Sequence, residues 1–105
     1  MPQISTPSNF VSVITECLPG DTFTVSGNAP GPAYPLGMFL SDNTEGECLW
    51  LGGYTKAAAV ENLVLTAPEN AKWFFMSKRI KGGTSGANNR AWKGTKTSAR
   101  IDSLE

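Results

Sequence analysis

Leu18-Pro19-Gly20-Asp21-Thr22-Phe23-Thr24-Val25-Ser26-Gly27 decides the class of fold. Its first four residues are a strong turn signal, proline and glycine each suiting a corner that ordinary residues fill poorly. Thr22 to Ser26 then alternates, with Phe23 and Val25 on one face and three hydroxyls on the other. That period of two is expected of a half-buried antiparallel strand. Gly27 ends it. Upstream, Phe10 to Glu16 (Phe-Val-Ser-Val-Ile-Thr-Glu) is β-branched and aromatic and reads as the preceding strand.

The same reading extends downstream. Asn28 to Gly37 holds three prolines around Tyr34, so no regular ladder runs through it, and a long loop across the top of a sandwich is expected. Met38 to Asp42 resumes a strand, Asn43-Thr44-Glu45-Gly46 turns, and Glu47 to Leu51 returns as a hairpin partner. Gly52-Gly53 is expected to break that pairing, and Tyr54 to Ala59 reads as loop or one helical turn. Asn62 to Thr66 and Lys72 to Ile80 are two further strands, the second the most apolar stretch and expected to be central. Gly82 to Asn89 is small and polar, the composition of a mobile loop, and a last strand is expected from about Lys96 to Ile101. Seven or eight short strands without βαβ alternation predict an all-β fold, an antiparallel β-sandwich or jelly roll.

Length and composition bound the rest. The 105 residues, 40% of them hydrophobic, suffice for one packed core. Residues 1–9 read as an extended leader, 10–103 as a single sandwich domain, and Leu104-Glu105 as a cloning remnant. The chain contains no histidine, which excludes Ser-His-Asp and Cys-His catalysis, His-ligated metals and an imidazole pH switch. No apolar run approaches the ~20 residues that span a bilayer, so membrane insertion is not expected. Cys17 and Cys48 can pair only if the fold brings their Cα atoms within about 7 Å, and unpaired buried thiols are the plainer expectation.

Three segments taken in order resemble a β-sandwich module of bacteriophage tail spikes, tail fibres and some bacterial surface proteins. They are Leu18-Pro19-Gly20-Asp21-Thr22-Phe23-Thr24-Val25-Ser26-Gly27-Asn28, Phe39-Leu40-Ser41-Asp42-Asn43-Thr44-Glu45-Gly46, and Leu65-Thr66-Ala67-Pro68-Glu69-Asn70-Ala71-Lys72-Trp73. The resemblance covers about residues 10–80. It implies a carbohydrate-binding-module-like jelly roll at the end of a longer, often homotrimeric protein, located in the virion tail or outside cells. The implied role is non-catalytic binding of a host-surface polysaccharide or glycan, any catalysis belonging upstream in the parent. The rival is a structural module that trimerises or stabilises the fibre tip.

Sugar recognition needs an exposed aromatic ring beside amides, carboxylates or guanidinium groups. Three places qualify: Trp50 and Tyr54 near Asp42 in the acidic hairpin, Tyr34 in the proline-rich loop, and Trp92 after Asn88-Asn89-Arg90. Trp92, flanked by Arg90 and Lys93, is the aromatic expected to be most exposed, whereas core packing is the plain alternative for Trp50 and Trp73. Charge is segregated: five acids and no base precede Lys56, and eight bases and no acid run from Lys72 to Arg100. A basic surface for acidic polysaccharide, contact between oppositely charged patches, or lysines that discourage edge pairing each account for this. Nucleic acid is not the expected partner. Asp42, Glu45 and Glu47 read as solvated turn residues rather than a catalytic carboxylate pair. A Ca²⁺ site from Asp42, Asn43 and Glu45 lacks a complete EF-type loop, and residues 82–86 lack phosphate-loop chemistry. No metal or cofactor is expected.

Overall fold

The computed structural model describes residues 9–31, 34–41, 48–94 and 101. Among them run seven strands and no helix: β1 (Phe10–Glu16), β2 (Thr22–Gly27), β3 (Gly37–Leu40), β4 (Trp50–Tyr54), β5 (Val60–Thr66), β6 (Trp73–Arg79) and β7 (Arg90–Lys93). They form two antiparallel sheets, ordered β1-β6-β3-β4 and β5-β2-β7. The chain is an antiparallel β-sandwich.

Side-chain alternation accounts for the layers. Phe39, Phe74 and Met76 of the larger sheet meet Phe23, Val25 and Ala91 of the smaller one in the main core. Phe23 stacks on Phe74 at 4.1 Å, and Phe39 tilts against both rings. Burying each such ring stabilises the fold by about 1.5–3 kcal/mol. Phe75, one residue on, points the other way and joins Met38 and Leu40 in a second cluster with Ile14, Cys48 and Trp73. β6 is therefore apolar on both faces and central between β1 and β3, which is why its sequence runs apolar without alternation.

Several expectations change. The hydroxyl face of β2 is solvated only at Thr22, since Thr24 and Ser26 in the middle strand of the smaller sheet are buried. Their hydroxyls are satisfied locally: Thr24 Oγ1 donates to the Gly94 carbonyl at 2.7 Å, and Ser26 Oγ accepts from the Asn62 amide at 2.9 Å. Gly52-Gly53 does not break the hairpin but carries it, Phe39 pairing with Gly52 and Met38 with Gly53. A Cβ on Gly53 would fall 2.8 Å from Met38 Cα, so close backbone approach demands glycine there. The paired residues of β4, Trp50, Gly52, Gly53 and Tyr54, thus overlap the expected Glu47–Leu51 stretch only at its end and run three residues past it, and residues 42–47 are outside the described residues. The last described strand is Arg90–Lys93, and the strand expected from about Lys96 to Ile101 lies outside the described residues except for Ile101. No disulfide forms, and the Cys17 thiol is buried.

Candidate functional site

The loop after β6 builds the site. Its small polar composition predicted mobility, but two asparagines pin it. The Asn28 amide donates to Asn89 Oδ1 at 3.0 Å, and Asn89 Nδ2 donates to the Ser77 carbonyl at 2.7 Å. The Gly86 amide donates to Asn28 Oδ1 at 3.0 Å, and Asn28 Nδ2 donates to Ser85 Oγ and the Ala57 carbonyl. Arg79 Nε adds a bond to the Ser85 carbonyl at 2.7 Å. Asn89 fits only because residue 27 lacks a side chain, since a Cβ on Gly27 would lie 2.9 Å from Asn89 Cα. The clamp ties the loop to β2 and β6, hence to both sheets.

Asn89 is fully buried, and its side-chain amide is engaged in this clamp. It leaves its neighbour Asn88 exposed at the rim. Lys78, Ala87, Asn88 and Arg90 line a cleft of about 390 Å³ there. Arg90 opens β7 opposite Ser26, and its Nε is buried with no hydrogen-bond partner among the described residues. A guanidinium offers only donors, so the cleft presents donor groups beside an amide that both donates and accepts. Hydroxyls and carboxylates are the natural complements of that set. No group of three or more acidic, Cys or His side chains able to hold a metal occurs among the described residues.

The other expected site residues are dispersed. Trp92 is 6% exposed, not the open ring expected: it pairs with Thr24 inside β7 rather than following a free loop. Tyr34 does not project freely but stacks on Phe10 at 4.5 Å, and the Arg79 guanidinium lies over the same Phe10 ring at 4.8 Å. Tyr54 is half-buried against the main core, its hydroxyl donating to the Ala58 carbonyl at 2.8 Å. Trp50 is the exposed ring, at 47%, meeting Phe75 edge-on at 5.5 Å. It lies on β4, whereas the cleft involves β6 and β7, so the ring and the polar groups do not converge. Asp42 lies outside the described residues. Lys78 and Asn28 were not singled out by sequence; a polar residue directly after a strand-ending glycine was the only signal for Asn28.

The segregated charges meet within the chain. Lys93 Nζ lies 3.7 Å from Asp21 Oδ2 and 3.5 Å from the Glu16 carbonyl, near the buried thiol. Burial, and secondarily the Asp21 carboxylate, push the Cys17 thiol above its ordinary value, with Lys93 opposing. Asp21 is also held by its turn, its carboxylate accepting from the Leu18 amide at 2.9 Å. No protein family, curated protein or solved structure matches this chain.

Proposed function

We propose that this β-sandwich is a non-catalytic carbohydrate-binding module of the kind that ends bacteriophage tail spikes and fibres. The supporting observation is the rim cleft, where a clamped loop holds Asn88 beside Arg90 and Lys78. Recognition there is by hydrogen bonding, since none of the described residues that line the cleft is aromatic. Binding of host-surface polysaccharide to the full chain is measured on wild type, Arg90→Gln and Asn88→Ala. Each substitution is expected to weaken binding at least about tenfold, the loss of one or two charge-assisted or amide hydrogen bonds. Binding that survives both changes with the fold intact removes the cleft from the proposal.

The structural reading, a fibre-tip module, draws on a different observation. Leu49 and Trp50 are adjacent at the start of β4 and 70% and 47% exposed. Absence of glycan binding together with a trimer dissolved by Trp50→Ala favours this second reading.

A further inference from the structure

Among the described residues the sandwich has four sheet-edge strands, and three carry a feature that discourages pairing with another chain. β4 has a register shift and Gly52 at φ 145°. β5 has a register shift and Asn62 at φ 56°. β7 is four residues long, and its Ala91 carbonyl already accepts from the Ile101 amide. β1 has none of these. It pairs with β6 in unbroken register over all seven residues, contains no Gly, Pro or Lys, and bears one charge, Glu16, at its end. Regular, β-branched and almost uncharged, it is the kind of edge that accepts another strand.

The hydrogen-bond phase shows which groups are on offer. The Ile80 amide donates to the Asn9 carbonyl and the Cys17 amide to the Lys72 carbonyl, at the two ends of the ladder. Odd-numbered residues of β1 therefore bond to β6, and Phe10, Ser12, Ile14 and Glu16 turn their N–H and C=O to the outer edge, where the Glu16 carbonyl also accepts from Lys93 Nζ at 3.5 Å and keeps a second lone pair.

We infer that the occupant of this edge is β1 of a second copy, antiparallel about a two-fold axis through Val13. That register sets Phe10 opposite Glu16 and Ser12 opposite Ile14. Every outward N–H and C=O of both strands is then paired, because each opposed pair joins two outward-facing residues. The charges agree with it. Glu16 of one copy lies across from Phe10 of the other, whose ring already carries the Arg79 guanidinium at 4.8 Å. Two symmetry-related Glu16–Arg79 contacts close the ends of the joint, and no like charges face each other. The result is a continuous eight-stranded sheet that does not use Trp50 or Leu49.

Sedimentation of the full chain over a concentration series tests this. Wild type is expected to form a reversible dimer. Ser12→Pro removes an N–H that makes no bond to β6, and is expected to weaken association about a hundredfold while leaving the circular dichroism unchanged. Glu16→Arg, on an exposed side chain, is expected to weaken it about tenfold by setting like charges together, and carries the test if the proline variant does not fold. Trp50→Ala is expected to leave the dimer intact. A wild type that stays monomeric throughout, or an oligomer that survives both β1 variants, overturns the inference.

Discussion

The two open rims of the sandwich are built on opposite terms. At one, β4 faces the end of β5, and Phe39, Leu51, Gly52, Gly53, Leu65, Thr66 and Pro68 surround a cleft of about 230 Å³. It is apolar, and both its strands are irregular in register. At the other, the end of β1 meets Lys93 of β7, β1 keeps a regular ladder with β6, and the polar groups of Glu16, Asp21, Lys93, Asn88 and Arg90 lie on β1, β7 and the loops beside them. Shape defends the first rim and polar chemistry occupies the second. Irregularity protects an edge without supplying recognition groups, so recognition is expected where the backbone is regular and the side chains carry charge.

The sharpest way to break this contrast is at the clamp under the polar rim. Asn89→Ala leaves the Asn28 amide and the Ser77 carbonyl without their buried partner, and is expected to cost about 2–4 kcal/mol in denaturant unfolding. Asn88→Ala, one residue away but exposed, is expected to change stability by less than about 0.5 kcal/mol. Equal costs for the pair would dissolve the division between scaffold and site. At the apolar rim, Gly53→Ala forces a methyl group against the β3 backbone and is expected to cost about 1–3 kcal/mol, read from the same unfolding curves. A neutral result would show that β4 can move away and that this rim is not held by close approach.

The smallest expected effect is one of pH. Because Cys17 is raised in the folded chain, its contribution to stability is fully present below the ordinary thiol value of 9.0. It is lost as pH rises from there through the folded value, since the unfolded chain releases its proton first. Unfolding curves at pH 7 and across the alkaline range, on wild type and Cys17→Ala, check this. The difference between the two proteins should shrink as the pH rises.

Much of the fold was legible because patterning is a local record of burial. Phe10–Glu16 was read with its observed bounds, and Thr22–Ser26 was placed to within one residue. The apolar run of β6 announced a strand buried on both faces. What escaped depends on partners distant in sequence. Thr24 and Ser26 read as a wet face, since nothing nearby says that β5 and β7 flank them. Asn88 and Asn89 are chemically identical and adjacent, and only the missing side chain of Gly27, 62 positions before Asn89, decides which is buried. Trp92 was misjudged for the same reason: the loop composition of residues 82–89 marks where a strand can start, but not the register with β2 that encloses the ring.

The order of strands also dictates when the molecule can assemble. Among the described strands, β3 with β4 is the one pairing between sequence neighbours; β1 waits for β6, and β2 waits for β5 and then β7. A ribosome releasing this chain from its N-terminus therefore exposes β1 and β2 with nowhere to dock until more than half of it has emerged. Such long loop closures favour slow, late folding, on the order of milliseconds to seconds. Throughout that interval the unprotected strand β1 is the part of the nascent chain most in need of a chaperone.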